Sequence, residues 1–258
     1  MNLLTAVHNS VMIQQKLYTG LSGIQLPVPK YLFPPEYQQT SRLTYYASFF
    51  NSIEVNSSFY KIPRKLTLQR WATSVPKNFT FTFKLFSEVM HTKSPTFDPG
   101  CVAQFIDAIS SVSEKRGCLL IQFPPRAGSE RLEQLDAILA AILQNDPECQ
   151  WRIAVEFRNR SWYNDETYNL LERYRAVAVF HDMKQSATPL NIGSPDFIYL
   201  RFHGPTGNYR GSYTHAFLAE YAEYISEWLS QGKTVYTYFN NTAGEAFHNL
   251  RTLQSMLL

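Results

Sequence analysis

The sequence predicts a single α/β domain that folds as a (β/α)8 barrel of the TIM type. The chain has 258 residues, eight short apolar segments recur along it, and amphipathic stretches of helical period lie between most of them. Eight strand–helix units within this length match a closed barrel, and the alternation predicts parallel strands with right-handed crossovers. Neither G-x-G-x-x-G nor G-x-x-x-x-G-K-S/T follows any segment, which disfavours an open nucleotide-binding sheet.

The predicted strands are short runs rich in β-branched and aromatic residues, the composition that favours extended structure. In chain order they are Lys16–Thr19, Ser52–Asn56, Thr80–Leu85, Cys118–Phe123, Arg152–Arg158, Ala176–Asp182, Phe197–His203 and Thr234–Asn240. We expect one domain over residues 1–258, with residues 1–15 as an N-terminal extension.

The predicted helices follow from apolar periodicity and from residues that favour helix ends. Asp98, Asp165 and Thr214 are expected to cap free N–H groups at helix starts, and Gly232 to follow a helix end. The predicted helices are Thr40–Phe50, Pro99–Lys115, Glu130–Leu143, Glu166–Arg175, Ala216–Ser230 and Gly244–Leu257.

Composition indicates a globular protein of the cytoplasm. The chain is 45% hydrophobic and 17% charged with a net charge of +3, which argues against disorder and strong non-specific nucleic-acid binding but allows a local basic cleft. Cys101, Cys118 and Cys149 form no C-x-x-C pair, so we expect reduced, structural thiols. No apolar run approaches the ~20 residues that span a bilayer, and the N-terminus is a poor signal peptide, so no membrane association is expected.

Polar side chains recur where the predicted strands end. In the segment IAVEFR, residues 153–158, one alternate face is apolar and the other ends in Glu156 and Arg158. By the same alternation Asp182 is assigned to the face of Ala178 and Phe180. TIM-barrel enzymes carry their chemistry at the carboxyl ends of the strands. Other polar residues at these ends are Glu54, Asn56, Lys84, Gln122, Arg201, His203 and Asn240.

These strand ends resemble a known family. The segments FFNSIEVNSSFYKIP, FTFKLFSEVMH, LLIQFPP, AVEFRNRSW, YLRFHG and YFNNTAGEAFHNLRTL occur here in the order seen in the YecE-like family, between Tyr18 and Leu253. That family is a bacterial and archaeal TIM-barrel group of unknown function, so the resemblance implies the barrel fold but no established reaction.

The chain departs from the family pattern at three places. The opening Gly-Thr-Ser-Gly-aromatic is Gly20-Leu21-Ser22-Gly23-Ile24 here, which removes an aromatic wall near the first strand. Asn159 stands where family members often have His, and Leu250 where they often have Ala after Asn. These departures concern substrate detail rather than the fold.

The first functional hypothesis is an enzyme, of hydrolase or phosphoester type, that acts on a phosphorylated small molecule or a nucleic-acid phosphodiester. Arginine and lysine beside carboxylates suit an anionic substrate, and carboxylates with histidine suit general acid–base catalysis. The candidate catalytic residues are Glu156, Asp182, His203 and Glu54. The candidate substrate-binding residues are Lys84, Arg158, Arg201, Asn56, Tyr60, Gln122, Trp162, Tyr213, Asn240 and Asn241.

Three alternatives remain open from the sequence. Two carboxylates with aromatic platforms would also suit a glycosidase, although the adjacent cations fit neutral sugars poorly. A barrel that binds a ligand or partner without catalysis would be favoured if all the charges paired internally. No cofactor motif is evident, but a divalent metal held by Glu54, Glu156, Asp182 and His203 is a further alternative.

Overall fold

The computed structural model of the protein describes residues 16–90, 97–190 and 195–257. The predicted N-terminal extension, residues 1–15, lies outside the described residues, as does His91 at the end of the FTFKLFSEVMH motif. The described strands are β1 Leu17–Leu21, β2 Ser52–Val55, β3 Thr80–Lys84, β4 Arg116–Gln122, β5 Arg152–Glu156, β6 Val177–Ala178, β7 Phe180–His181, β8 Phe197–Phe202 and β9 Thr234–Phe239.

All strand pairs are parallel, as the alternation of elements predicts. The strands form a five-stranded sheet of order β2-β3-β4-β5-β6 and a four-stranded sheet of order β1-β9-β8-β7. The sixth predicted strand is divided between the two sheets, because β6 pairs with β5 whereas β7 pairs with β8. Val179 between them still donates its N–H to the carbonyl of Val155 at 2.9 Å.

Side chains, rather than a backbone ladder, connect β1 to β2. The amide of Asn51 accepts from the N–H of Thr19 at 2.8 Å and donates to the carbonyl of Leu17 at 2.7 Å. The hydroxyl of Tyr46 likewise accepts from Leu21 N–H and donates to a carbonyl of β2. Gly20 permits the close approach, because a Cβ there would lie 2.2 Å from the carbonyl oxygen of Ser52.

The α-helices lie outside the strands. They are α1 Arg42–Tyr46, α2 Lys65–Thr73, α3 Ser87–Met90, α4 Pro99–Ile109, α5 Leu132–Asn145, α6 Asp165–Arg173, α7 His215–Ser230 and α8 Ala246–Leu257. Short 3-10 turns occupy Lys30–Leu32, Pro35–Tyr37, Asn56–Phe59, Ser110–Lys115, Ser129–Arg131 and Arg160–Trp162.

The predicted helix ends are confirmed in part. Asp98 and Thr214 cap their helices through side-chain acceptance of N–H groups, and Gly232 adopts a positive φ after α7. The cap of α6 is Asn164 rather than Asp165, because Asn164 accepts from the N–H of Thr167. Helix α2 was not predicted, since its sequence KLTLQRWAT buries only one side chain and shows little apolar periodicity.

The side-chain alternation predicted for the strands is confirmed on β5 and wrong on the divided strand. Ala154 belongs to the cluster inside the barrel, together with Leu120 and Tyr199, as expected. On the divided strand, however, it is Val177 and Val179 that face inward, whereas Ala178 and Phe180, the predicted inward residues, pack with the helices.

Candidate functional site

The carboxyl ends of the strands bring most of the predicted polar residues together. Glu54 lies on β2, Lys84 ends β3, Gln122 ends β4, Glu156 ends β5 and Arg201 lies on β8. Strands that are parallel place these ends on one side of the barrel, so residues far apart in sequence become neighbours.

Arg201 is the centre of a buried ion-pair layer. Its Nη2 lies 2.8 Å from Glu54 Oε1 and its Nη1 lies 2.8 Å from Glu156 Oε2. Arg201 is 1% exposed and both carboxylates are fully buried. One guanidinium from the four-stranded sheet therefore joins two carboxylates of the five-stranded sheet.

Glu54 is saturated with hydrogen-bond donors. Ser22 Oγ donates to it at 2.6 Å, Tyr199 donates its hydroxyl at 2.5 Å, and Arg201 adds further N–H groups. Burial opposes ionisation of Glu54, but the charge and hydrogen bonds of Arg201 outweigh it and hold the pKa below its usual range. Glu54 is thus an ionised, fully partnered group.

Glu156 is shared between two arginines. Its Oε1 accepts from Arg158 Nε at 2.6 Å, while its other oxygen is held by Arg201. Burial opposes the charge of Glu156, yet the charges of Arg201 and Arg158 outweigh it and hold the pKa well below the usual range. The opposite charges at Glu156 and Arg158 in the motif AVEFRNRSW therefore form a direct ion pair.

Three cationic side chains converge on the amide oxygen of Gln122. Lys84 Nζ donates to this oxygen at 2.8 Å, Arg201 Nη1 at 3.3 Å and Arg158 Nη2 at 3.4 Å. Because the Gln122 oxygen is a neutral acceptor, it links the three cations by hydrogen bonds and leaves their positive charges in place. Asn56 Oδ1 accepts from Arg201 at 3.4 Å in the same region.

Lys84 is the cation of this group that makes no ion pair with a described carboxylate. Its Nζ contacts the Gln122 oxygen and lies 4.2 Å from the centre of the Phe59 ring. Burial lowers the pKa of Lys84 to about 8, and the charge of Arg201 adds to this effect against the opposing charges of Glu156 and Glu54. Lys84 is therefore present as both ammonium and amine near neutral pH.

His203 is positioned by its surroundings in one tautomer. Its Nε2 lies 3.2 Å from a guanidinium nitrogen of Arg158 and 3.2 Å from one of Arg201. Guanidinium groups only donate, so Nε2 accepts and the ring proton lies on Nδ1. Nδ1 is buried and has no hydrogen-bond partner in the described part of the chain, with Asp182 Oδ1 at 3.5 Å.

Asp182 is held by the backbone and by a tyrosine. Its Oδ1 accepts from the N–H of His203 at 2.8 Å, and its Oδ2 accepts from the Tyr213 hydroxyl. That hydroxyl in turn accepts from Gly204 N–H at 2.5 Å. Burial, reinforced by the charge of Asp182, raises the pKa of Tyr213. Tyr213 therefore positions the aspartate as a hydrogen-bond donor.

Tyr209 belongs to the site but was not predicted from the sequence. Its hydroxyl accepts from Arg158 Nη1 at 2.5 Å, and its backbone N–H donates to the carbonyl of His203. Its φ of 65° lies in the left-handed region, which bends the loop back over the strand end. Tyr209 lies in the loop that follows YLRFHG, and nothing in the spacing of that loop distinguishes Tyr209 from the neighbouring Tyr213.

Other predicted binding residues lie elsewhere. Trp162 is fully buried between Phe123 and Phe157 and donates its indole N–H to Ala127. Tyr60 is 79% exposed on the loop after β2.

The two predicted asparagines that follow β9 are both buried. Asn241 donates to the carbonyl of Gly211 and to Asn249, which ties two loops together. Asn240 donates its backbone N–H to the carbonyl of Phe202 on the neighbouring strand.

The four residues considered as a metal alternative are not arranged to hold a metal. Glu54 and Glu156 already bind Arg201, whose positive charge takes the place that a cation would need. Within residues 16–90, 97–190 and 195–257, no group of three or more His, Cys, Asp or Glu side chains forms a candidate metal site.

A cavity of about 280 Å³ lies at the opposite, amino-terminal end of the strands, beside Arg152, Phe197 and Thr234. None of the converging charged residues lines it, so it is separate from the candidate site. None of the helices in the described part of the chain combines the length and apolarity needed to cross a bilayer.

Comparisons with known proteins agree with this architecture. A UPF0759 protein of Bacillus subtilis, YunF, is 24% identical, with 88% of this chain and 89% of YunF covered. The UPF0759 protein YecE of Escherichia coli is 27% identical over 90 residues, a third of its length.

Solved structures give the same fold. A DUF72 family protein of Thermotoga maritima has a TM-score of 0.75 at 25% identity, covering 93% of this chain and 98% of that one. A second, from Enterococcus faecalis, has a TM-score of 0.75 at 22% identity, covering 93% and 95%. The predicted α/β, TIM-barrel-like fold is therefore confirmed. The family model described as "Protein of unknown function DUF72" matches residues 18–258, and the chain belongs to this family.

Proposed function

We propose that the protein is an enzyme that binds an anionic substrate, a phosphorylated compound or a phosphodiester, at the carboxyl-terminal mouth of the barrel. The observation that carries the proposal is that Lys84, beside two arginines, forms no ion pair with a carboxylate in the described part of the chain. The surrounding groups differ in whether they can reach a substrate and whether they can move a proton.

Among the described residues of the site, the cations Lys84, Arg158 and Arg201 equal the carboxylates Glu54, Glu156 and Asp182 in number, but Lys84 forms no ion pair with any of them. Arg201 and Arg158 are balanced by Glu54 and Glu156, whereas Lys84 makes only neutral contacts among the described residues. A desolvated cation without a counter-ion is costly, and a substrate anion would supply that counter-ion. An anion is therefore the ligand that this arrangement favours.

The groups at the mouth differ in access to solvent. Arg158 is 9% exposed and Asp182 is 10% exposed, whereas Arg201 and its two carboxylates are sealed from water. A substrate anion would thus contact Lys84 and Arg158 directly. Arg201 would act through its fixed charge and by holding Glu156 in place.

Asp182 and His203 are the best-placed pair for proton transfer. The Asp182 carboxylate lies at the edge of the site, and His203 presents an unpartnered N–H beside it. Glu54 and Glu156 are less suited to act as bases, because each is buried, hydrogen-bonded and held ionised by arginine. Their assignment as catalytic residues remains a prediction, and we propose that they position the arginines.

The glycosidase alternative is less favoured by this geometry. Glycoside hydrolysis needs two carboxyl groups on either side of the scissile bond. Here Glu54 and Glu156 lie on opposite sides of Arg201 and bind it, so the guanidinium occupies the space between them.

A test combines anion binding with turnover. Thermal shift with pyrophosphate, sugar phosphates and short oligonucleotides should reveal a ligand, since a ligand at 100 times its Kd adds about 2.7 kcal/mol. This corresponds to roughly 5–10 °C for a domain of this size. Hydrolysis of p-nitrophenyl phosphate and bis-p-nitrophenyl phosphate would measure catalysis, with Asp182→Asn expected to lower the rate at least ~100-fold.

Arg158→Ala should reduce anion affinity ~10- to 100-fold, the value of a hydrogen-bonded charge. Arg160→Ala is the matched control, because Arg160 is exposed on the same loop and its side chain hydrogen-bonds only to the Lys184 carbonyl among the described residues. Equal losses in both variants would contradict the proposed site. If the protein binds anions but hydrolyses none of the tested esters, the proposal that it is an enzyme is refuted and a binding protein is the better description.

A further inference from the structure

We propose that Lys84 acts as an amine nucleophile that forms an imine with a substrate that carries both an anionic group and a carbonyl carbon. Such substrates include 2-oxo acids and phosphorylated aldehydes or ketones. This inference rests on the proposed function and narrows its substrate class from anions in general to anionic carbonyl compounds.

Hydrogen bonds position Lys84 both at its backbone and at its side-chain nitrogen. Its backbone carbonyl at the end of β3 accepts from the Ser58 hydroxyl at 2.7 Å, and Ser58 is fully buried. At the other end Nζ donates to Gln122 and rests over the Phe59 ring. Lys84 is partly exposed, in contrast to the sealed Arg201.

Burial is the main cause that lowers the pKa of Lys84, and charges of both signs face the ammonium group. Arg201 from β8 and Arg158 from the loop after β5 repel the ammonium, while Glu156 and Glu54 attract it. Because both carboxylates are directly bound to arginine, their attraction does not offset burial, and the pKa of Lys84 falls to about 8. Desolvation beside other cations is a recognised way to activate a lysine amine.

The chemistry balances without a cofactor. The neutral amine of Lys84, having released its third proton to solvent, attacks the carbonyl carbon to give a carbinolamine. The oxygen then leaves as water with the two hydrogens of the amine, and the C=N bond replaces C=O. Protonation of the imine restores a positive charge at Lys84, so the site continues to attract the substrate's anionic group, which Arg158 contacts.

Reductive trapping tests the inference on the intact protein. Glyoxylate, the smallest anionic aldehyde, would be incubated with the protein and sodium cyanoborohydride, and modified peptides would be quantified by mass spectrometry. We expect Lys84 to be modified at least ~10-fold faster than an ordinary exposed lysine at pH 7, because of its larger amine fraction. Lys77 is the internal reference, since it is exposed and precedes β3 at the opposite end of the barrel.

Two comparisons make the result specific. Neutral glycolaldehyde should show a smaller preference for Lys84, and inorganic phosphate should protect Lys84 but not Lys77. The rate at Lys84 should reach half its maximum near pH 8. Lys84→Arg keeps the charge and should retain pyrophosphate binding while losing the adduct.

The outcomes separate this inference from the proposed function. Pyrophosphate binding with Lys84 labelled no faster than Lys77 would overturn the imine and leave the anion site standing. Preferential labelling of Lys84 by glyoxylate, with no thermal shift from phosphate or pyrophosphate, would support the nucleophile and overturn the proposed phosphate substrate. If inorganic phosphate does not suppress the labelling of Lys84 by glyoxylate, the anion does not bind beside Lys84, and the claim that one site holds both the anion and the amine is wrong.

Discussion

Two layers of charge lie at the carboxyl end of the barrel, and they differ in what they can do. The deep layer consists of Glu54, Glu156 and Arg201, all sealed from water and joined by 2.8 Å ion pairs. The mouth layer consists of Lys84, Arg158, Gln122, Asp182 and Tyr209, which are partly exposed. Every charge of the deep layer is paired, whereas Lys84 of the mouth layer forms no ion pair with a described carboxylate.

The two layers therefore separate the fully buried charges from the partly exposed ones. Removing one partner of a buried ion pair leaves an uncompensated charge, so the deep layer should govern stability. The mouth layer has solvent access and an unpaired cation, so it should govern binding and reaction. Four substitutions test this separation.

The largest effect is expected from Arg201→Met. It leaves two buried carboxylates without their common counter-ion and should lower the free energy of unfolding by ~3–5 kcal/mol. Urea denaturation measures the loss. Arg173→Met is the control, because Arg173 is 66% exposed and its contact with Asp136 is 4.0 Å long, so it should change stability little. A loss below ~1 kcal/mol for Arg201→Met would show that the deep layer is not structural.

The second-largest effect is expected on the free energy of unfolding at acid pH. The folded pKa values of Glu54 and Glu156 lie below their unfolded values, near 4.3. Their contribution to stability is therefore complete above about pH 4.3 and is lost as the pH falls toward the folded values. The loss is about 1.4 kcal/mol for each pH unit that separates the folded from the unfolded pKa.

Urea midpoints between pH 3 and 7 should fall more steeply at the acid end for the wild-type protein than for Glu54→Gln. Glu133→Gln, an exposed position on α5, provides the control and should follow the wild-type curve. Parallel curves for all three proteins would contradict the assignment of acid sensitivity to the deep layer.

Lys84→Met should raise the free energy of unfolding at pH 7, whereas Arg201→Met should lower it. The folded pKa of Lys84 is about 8 and the unfolded value about 10.4, so between these values the unfolded state binds more protons and wild-type stability rises with pH. At pH 7 the variant should be about 1 kcal/mol more stable, a value discounted because Lys84 is partly exposed.

The stability advantage of Lys84→Met over the wild type should shrink as the pH approaches 10. Chemical denaturation at pH 7 and 9.5 measures this difference, and pyrophosphate binding by the variant should be weakened. Destabilisation at pH 7 would show that Lys84 is a structural residue like Arg201.

The smallest effect is expected from Tyr60→Ala. Tyr60 is 79% exposed, so stability should change within ~0.5 kcal/mol. Its place beside Phe59, at a ring distance of 5.1 Å, keeps its predicted role in substrate binding open to measurement. Unchanged affinity for every anion that binds the wild-type protein would remove Tyr60 from the site.

Local sequence patterns predicted much of the site, because strand ends and alternation are short-range properties. The predicted strands Ser52–Asn56, Thr80–Leu85, Cys118–Phe123 and Arg152–Arg158 place polar side chains near their ends, and the structure brings these side chains together; they are Glu54, Lys84, Gln122 and Glu156. The divided strand was misjudged, because tertiary pairing of β6 and β7 with different sheets reversed which of Val179 and Phe180 faces inward.

Local sequence patterns suffice to predict the parallel α/β barrel and the charged groups at the strand ends, since periodicity and turn residues act within a few positions. The pairing of those charges depends on the tertiary structure. In the folded chain Glu54 and Glu156 form ion pairs with Arg201, and Tyr209 accepts a hydrogen bond from Arg158. Lys84 has no carboxylate partner among the described residues. Pairing depends on distances across the barrel between residues up to 147 positions apart, such as Glu54 and Arg201, and no local pattern encodes those distances.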